Sequence, residues 1–495
     1  MKPLGTITKY YPFIDEESKS MLNSLMDESS SYYDFMLELC EFVLENEVPI
    51  DVAYIAAMQA WWTRSGDTMS RIQQKYRDFP CIRPWGFRYA STISDQARYH
   101  DAVVEAIDRA IETSPPDWML IEFYFLHSRF HLPIFGDIPS LLEPIEMAKV
   151  LIAANPLLRC FEPLICFIEG WAELREGHKE NSIAIHQRGL ELAEVDNDPV
   201  IAYENLSCLA NATKFINIKK SQELWEEVYD SVQDLEVPSI IGEVLHDSAL
   251  AFETAGEYDL AISSLLEYID VGSVDDTVCL TLSRIYATMG NGQKALEWID
   301  RTFEYVGSLT FPTLYLRKAW ALVLLNRLEE AERNLDTAHS LILKTGQEIR
   351  LARYYHVSGV LELARGDHSA AVDFLEKSYE IMDRFQEGLY LNISLLDLVR
   401  AEISLADQSI DSTESVTPGT WLTRLEKYAR NRNLPGIRMQ AALLKSEFYQ
   451  KHGQLKDALG TLEDALDITD SLGVKTLRKM ITDRIAELER LLKEA

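Results

Sequence analysis

Seven times along this chain a small residue in an apolar stretch is followed twelve positions later by another. The pairs are Ala90 and Ala102, Gly170 and Ser182, Ala249 and Ala261, Ser283 and Ala295, Ala319 and Ala331, Gly359 and Ala371, and Ser446 and Ala458. Twelve residues carry a chain from mid-helix, through a short turn, into a second helix, so the spacing sets two small side chains facing each other where the helices cross most closely. One such pair cannot bury its apolar faces alone. Recurrence at intervals of roughly forty residues therefore demands that the pairs stack on one another.

The segment Leu245–Leu266 shows the unit most plainly. Leu245, Ala249 and Phe252 fall on one face of a first helix, Gly256 ends it, and Tyr258, Ala261, Ile262 and Leu265 resume the apolar stripe on a second. A glycine just past a helix closes it by taking the left-handed backbone conformation, and Gly290, Gly366 and Gly453 stand in the same place in later units. Asn326 takes that role in one unit, being the next best residue for it. Pro199, Pro238, Pro312 and Pro435 open first helices, where the missing N–H costs nothing.

In these residues the chain resembles the tetratricopeptide repeat family. Ala249, Phe252, Gly256, Ala261 and Leu265 match the family pattern in full, as do Ser446, Tyr449, Gly453, Ala458 and Leu462; Gly170, Gly177 and Ser182 fit, with Glu173 where an aromatic is usual. The family's proline at the end of the second helix is missing. Intervals of 34, 36 and 40 between Ala261, Ala295, Ala331 and Ala371 are longer than the family standard, which is similar to the long-repeat variant of signalling ATPases and maltose-regulator-type activators. The resemblance implies an all-α fold, a right-handed α-solenoid of stacked antiparallel helix pairs, with roughly twelve pairs and a capping helix at the C-terminus.

The expected organisation is an N-terminal helical region of degenerate repeats over 1–160, regular repeats over 161–473, and the capping helix over 474–495, with Leu477, Ile481, Ile485 and Leu488 turned inward. The irregular stretch Asp407–Thr420 reads as a surface loop inside one enlarged repeat. The N-terminus has no long apolar core and no run of eighteen apolar residues occurs, so neither a signal peptide nor a membrane contact is expected and the cytoplasm is the expected location. Cys40, Cys81, Cys160, Cys166, Cys208 and Cys279 are scattered without a two-residue-spaced pair, which suits buried reduced thiols rather than a disulfide framework or a zinc site.

A formal charge of −31 argues against binding the nucleic-acid phosphate backbone. Two stretches run against that balance. Arg64, Arg71, Arg77, Arg83 and Arg88 are interleaved with Trp62, Tyr76, Phe79, Trp85, Phe87 and Tyr89, which suits core aromatics beneath a solvated basic face or, as the less favoured reading, an interface hot spot. Arg424, Lys427, Arg430, Arg432 and Arg438 form a second basic cluster. Either could grip an acidic peptide.

If the pairs stack as in the family, first helices line a concave groove. Positions six and three before each first-helix small residue, and one and four after it, then face the groove. They are Leu164, Phe167, Trp171 and Leu174 around Gly170; Glu243, His246, Leu250 and Glu253 around Ala249; Arg284; Leu316 and Trp320; and Arg353, His356 and Leu363. Such a surface, with exposed aromatics and charges, suits an extended peptide or a helix. The lysine and asparagine four apart with which some family members hold C-terminal carboxylates are absent in register.

Catalytic motifs are missing as well. His127 and His131 have metal-ligand spacing, but no glutamate follows His127, and core packing among their aromatic neighbours accounts for them. Gly290 and Gly292 form a turn without a following lysine-serine or lysine-threonine pair, and in Arg365-Gly366-Asp367 helix ending and capping explain the glycine and the aspartate. No cofactor or metal is expected. The favoured function is a non-enzymatic scaffold that binds a protein or peptide in its groove; the alternative is a ligand-sensing regulatory module acting on a separate effector chain, and an enzyme with a dispersed site is the least favoured. Self-association through apolar solenoid ends is compatible with these readings.

Overall fold

The structure is a computed structural model that describes residues 5–60, 63, 66–85, 96–131, 138–214, 216–255, 257–271, 276–306, 312–345, 348–384, 388–409, 419–431, 434–472 and 475–494. Among these residues the fold is all-α. Backbone contacts gather into two compact units, Met1–Asp247 with Val271–Ser273 and Ser248–Asp270 with Val274–Ala495, called here the N-terminal and C-terminal units. Ala90 and Gly256 lie outside the described residues.

Within the N-terminal unit, Asp117–His131 pairs with Ile138–Ala154, Glu162–Arg175 with Lys179–Val195, and Pro199–Thr213 with Ile218–Gln233. The C-terminal unit continues the pattern. Asp276–Thr288 packs on Gly292–Val306, Pro312–Leu324 on Leu328–Thr345, Glu348–Arg365 on His368–Arg384, and Pro435–Lys451 on Leu455–Leu472. Between the last two pairs come Gly388–Ser409 and Thr420–Asn431, so helix extends to Ser409 where the irregular stretch was expected to begin at Asp407. The four expected prolines each occupy the first position of a helix.

Turns form for a backbone reason. Gly177, Gly290, Gly366 and Gly453 have φ between 72° and 88°, and Asn326 has φ 58°, the left-handed conformation. In each, the next residue's N–H reaches back five positions, as in Asn291 to Tyr286 at 2.8 Å and Asp367 to Glu362 at 3.0 Å, which satisfies a carbonyl that the ending helix leaves open. The same Asn291 and Asp367 then cap the second helix, their side chains accepting from the N–H of Lys294 and Ala370. Helix end and helix start thus share two residues.

Across each turn the small residues meet. Ala249, Ala261, Ala295, Ala319, Ala331, Ala371, Ser182, Ser446 and Ala458 are all fully buried. A Cβ added at Gly359 would stand 2.6 Å from Leu375 Cγ, and one at Gly170 would stand 2.5 Å from the His186 ring. One pair escaped the twelve-residue rule. Between Pro199–Thr213 and Ile218–Gln233, Ser221 Oγ donates to the Ala210 carbonyl at 2.7 Å across an eleven-residue spacing.

First helices also pack on the next first helix: Glu162–Arg175 on Pro199–Thr213 in the N-terminal unit, and Pro312–Leu324 on both Asp276–Thr288 and Glu348–Arg365 in the C-terminal unit. Neighbouring second helices do not meet to a comparable extent among the described elements. The first helices therefore form the crowded, inner side of each unit.

At its start the N-terminal unit takes in the leading segment of the chain. Gly5 donates to the Asn197 carbonyl at 2.7 Å, Lys9 pairs with Asp198 at 2.9 Å, and buried Glu122 accepts from the hydroxyls of Tyr10 at 2.5 Å and Tyr54 at 2.9 Å. At the other end, the helix Lys475–Glu494 lays Ile481 and Leu488, both fully buried, against Ala458, Leu462 and Ala465, with Ile485 beside them; the Leu477 side chain lies outside the described residues. All six cysteines are free thiols, five buried and Cys160 half-buried, and burial pushes Cys40 up to about 12 and Cys81 and Cys166 up to about 11.

Two outcomes follow from the close crossings. Gly359→Ala should cost about 1–3 kcal/mol in urea unfolding through overpacking, and less than the sum of single costs when combined with Leu375→Ala. Gly366→Ala, where a Cβ meets nothing, should cost about 1 kcal/mol through backbone strain alone and show no coupling to Leu375; additivity at Gly359 would refute the close contact. Burial also pushes the His186 imidazole down to about 4, the Asn205 side chain offsetting part of the effect. Because the unfolded chain protonates first, stability should fall as pH drops from about 6.5 to 4, by on the order of 3 kcal/mol. His186→Gln should flatten that limb.

Candidate functional site

On the inner side of the C-terminal unit, consecutive first helices deliver charged and aromatic side chains to one place. Glu253 comes from Pro238–Ala255, Arg284 from Asp276–Thr288, Arg317 and Trp320 from Pro312–Leu324, Arg353 and His356 from Glu348–Arg365, and Tyr390 and Asp397 from Gly388–Ser409. Arg284 donates to Glu253 at 2.6 Å. Arg317 donates to the Tyr390 hydroxyl, and its guanidinium carbon lies 5.3 Å from the Tyr390 ring and 5.7 Å from the Trp320 ring. Arg353 covers the same Tyr390 ring at 4.1 Å. Cation–π contacts of this kind are worth about 2 kcal/mol when desolvated.

The chain of contacts continues sideways. Trp320 meets His356 edge-on at 5.1 Å between ring centres, His356 Nε2 lies 2.7 Å from Asp397 Oδ2, and Arg400 pairs with the other Asp397 oxygen. Burial alone would raise the Asp397 carboxyl; Arg400 and then His356 outweigh it and hold the group below the usual carboxylate range. Burial pulls the Arg317 guanidinium down to about 10, Tyr390 opposing that effect and Arg284 and Arg353 adding to it, so it remains charged at neutral pH. Gln440 donates to the Tyr258 hydroxyl at 2.6 Å, joining positions 182 apart in sequence within the same unit.

The N-terminal unit has its own inner cluster, balanced differently. Arg129 makes two hydrogen bonds to Glu204, at 2.7 and 2.8 Å, with its guanidinium over Phe167 at 5.1 Å and Phe125 at 5.8 Å. Trp171 Nε1 donates to Cys208 Sγ at 3.0 Å, and Tyr203 donates to Glu243 at 3.3 Å. His246 lies 3.3 Å from Asp247. His127 is half-buried, and the His131 side chain lies outside the described residues.

The positions expected to form an open groove are therefore largely interior. Leu164, Phe167, Arg284, Trp320 and His356 are buried, His356 to 2% exposure, while Trp171, His246 and Arg353 are half-buried. The correction has a packing cause: first helix lies on first helix, so side chains expected on a free surface are sandwiched between repeats. Arg284, Trp320, Arg353 and His356 are brought together; Leu164, Phe167, Trp171 and His246 belong to the N-terminal unit. Arg317, Tyr390 and Asp397 complete the cluster and were not singled out in the sequence. Arg317 is two before Ala319, off the positions read as groove-facing, and Tyr390 and Asp397 sit in a repeat without a small-residue pair.

Of the basic patches, Arg71, Arg77 and Arg83 are exposed whereas Trp85 and Tyr76 are core, with Trp85 edge-on to Tyr54 at 5.8 Å. Phe79 is exposed. Arg424, Lys427 and Arg430 are exposed, Arg424 lying over Trp421 at 4.7 Å, and Arg438 is half-buried. Arg64, Arg88 and Arg432 lie outside the described residues. Among the described residues, one group with metal-ligand geometry occurs, Glu173, Glu176 and His178 around the Gly177 turn; it is largely exposed, and ion pairing across the turn accounts for it. No described helix is long and apolar enough to cross a membrane.

Residues 310–384, which hold Arg317, Trp320, Arg353 and His356, match the family described as tetratricopeptide repeat. This stretch carries tetratricopeptide repeats. No curated protein matches it in sequence. Solved structures similar in fold type include a Rap protein complexed with competence and sporulation factor, at 14% identity over 67% of this chain and 99% of that one with a TM-score of 0.38. They also include the ligand-bound phAimR, at 14% identity over 81% and 98% with a TM-score of 0.37, and a tetratricopeptide repeat protein from Parabacteroides merdae, at 15% over 56% and 99% with 0.36. At these values nothing about the ligands of those proteins carries over.

Within this inner cluster the charge balance makes a testable asymmetry. Glu253 is the acid that pairs with Arg284 and acts on Arg317, so Glu253→Gln should cost about 3–5 kcal/mol, leaving buried cations poorly compensated. Arg284→Met should cost clearly less, because Arg317 remains within reach of Glu253 and loses a repulsive neighbour. Denaturant unfolding of the two variants decides it, and a larger loss for Arg284→Met would contradict this assignment of charge.

Proposed function

We propose that this chain is a non-enzymatic scaffold that holds a protein or peptide segment against the first-helix face of its C-terminal unit. The observation that carries the reading is the delivery of Arg317, Trp320, Arg353, His356 and Tyr390 to one place by three consecutive first helices. Stacked repeats set anchors at regular intervals, which is what an extended segment or a helix needs in order to be read along its length. Trp, Tyr and Arg are the side chains that dominate binding energy where they are desolvated, and here they already lie in mutual contact with little rotamer freedom left to lose. Among these members the half-buried Arg353 is the most accessible.

The test is capture from native lysate with the tagged full-length chain, read by mass spectrometry. A stoichiometric partner should be retained by wild type and by Arg77→Glu, and lost, by about tenfold or more, with Arg353→Ala and with Trp320→Ala. Absence of any stoichiometric partner would contradict the scaffold reading. Capture that survives both inner-face changes and disappears with Arg77→Glu would move the interface to the outer basic patch.

A further inference from the structure

We infer that residues Gly5–Phe13 are a built-in ligand of the N-terminal unit. The starts of three successive first helices form a binding site for a short segment that carries a glycine, a hydroxyl, a cation and an aromatic in that order, and the chain's own segment fills it. The site opens to a partner segment of the same chemistry when the chain's own segment leaves. It belongs to the N-terminal unit and does not depend on the reading proposed for the C-terminal one.

The contacts follow the segment in order. Gly5 N–H donates to the Asn197 carbonyl at 2.7 Å, and an added Cβ would stand 2.0 Å from the Asp196 carbonyl oxygen, so only glycine fits there. Thr6 Oγ1 donates to Asp198 Oδ1 at 2.6 Å, and Lys9 Nζ reaches Asp198 Oδ2 at 2.9 Å, with the Lys9 side chain 10% and that of Asp198 3% exposed. Burial opposes the charge on Lys9, and Asp198 and then Glu122 outweigh it. The Tyr10 hydroxyl donates to Glu122 Oε1 at 2.5 Å, and its ring lies 5.2 Å from Trp118 and 6.1 Å from Phe161. Phe13 meets Phe161 as well, at 6.2 Å. Trp118 and Glu122 stand early in Asp117–His131, Phe161 directly precedes Glu162–Arg175, and Asp198 caps Pro199–Thr213.

The receiving groups are held by the repeats themselves. Asn197 has φ 53° and the Asp198 N–H reaches back to the Ala193 carbonyl at 2.9 Å, the turn that closes other helices of the stack, so the carbonyl that accepts from Gly5 is set by local backbone geometry. Asp198 Oδ1 also accepts from the Ile201 N–H at 3.3 Å as a helix cap, and Glu122 Oε2 accepts from Tyr54 at 2.9 Å. Each carboxylate is thus positioned by its own repeat, and the segment brings it a hydroxyl, an ammonium or a phenol. Two buried carboxylates make the site selective for a basic segment over an acidic one. Gly5–Phe13 holds a single helical turn, Gly5–Thr8, which is too short to keep its shape alone. A short segment ordered only by preset groups of a folded host is the relation of a peptide to its receptor.

The experiment adds the segment as a free peptide, acetyl-GTITKYYPF labelled at its C-terminus, to the full chain and follows fluorescence anisotropy. Full-length Gly5→Val, whose new side chain collides with the 196–197 backbone and expels its own segment, should bind the peptide one to one. Wild type should bind at least about tenfold more weakly, because its tethered segment competes at high effective concentration. Affinity for Gly5→Val should fall about tenfold when the peptide bears Lys9→Ala, when it bears Gly5→Ala, or when Asp198→Asn is added to the chain. A Gly5→Val chain with the circular dichroism of wild type that takes no peptide overturns the inference, as does equal binding of a scrambled peptide. Should Gly5→Val not fold, hydrogen exchange of wild type in mild urea decides. The bonded amides of Lys9, Tyr10 and Phe13 should exchange through an opening at lower urea than those of Glu162–Arg175 and Pro199–Thr213. Exchange of both in one common event makes the segment part of the core and overturns the inference. Arg353→Ala should leave peptide binding unchanged, so this site and the scaffold reading of the C-terminal unit fail separately.

Discussion

At Gly359 the backbone of one helix comes so near its partner that even a methyl group would stand 2.6 Å from Leu375 Cγ. That approach, repeated with alanine or serine in the other pairs, sets the distance between the two helices of each repeat and so fixes how the next repeat can sit on it. Once the pairs are that close, the first helices of successive repeats come into direct contact while the second helices spread apart. The inner side becomes crowded, and whatever side chains the sequence places there are committed to burial.

Most of those side chains accept burial readily. In the N-terminal unit Arg129 faces Glu204 through two hydrogen bonds, so its charge is compensated by geometry as well as by sign. The C-terminal unit departs from that rule at Arg317, where rings and a hydroxyl surround a buried guanidinium and the carboxylate acting on it, Glu253, is hydrogen-bonded to Arg284. A fold under selection for stability alone gains nothing from such an arrangement, because an apolar residue of similar volume would remove the desolvation cost.

Much of this architecture was legible in the sequence because it depends on local rules. A left-handed turn demands glycine or asparagine, and Gly290, Asn326, Gly366 and Gly453 carry that demand openly. Helix crossings demand small residues at fixed spacing, and those residues are buried where the spacing placed them. The repeats that escaped notice broke the local rule: Ala210 and Ser221 are eleven apart, and Gly388–Ser409 is separated from Thr420–Asn431 by a long insertion. The site was harder to read for a different reason. Which face of a first helix is inner follows from periodicity, but whether that face is open or covered depends on how repeats stack, and no local pattern encodes it. Trp320 and His356 were therefore expected on a free surface and lie in contact with each other inside. Arg317 and Tyr390 gain their meaning only from meeting across 73 positions of sequence.

The central claim is that a partner engages the inner, first-helix side of the C-terminal unit. Amide hydrogen exchange on the captured complex, compared with the chain alone, tests this most directly. Partner binding should slow exchange in Pro312–Leu324 and Glu348–Arg365 while leaving Leu328–Thr345 and His368–Arg384 unchanged. Protection confined to those second helices, or to the exposed arginines around Arg77, would contradict the account.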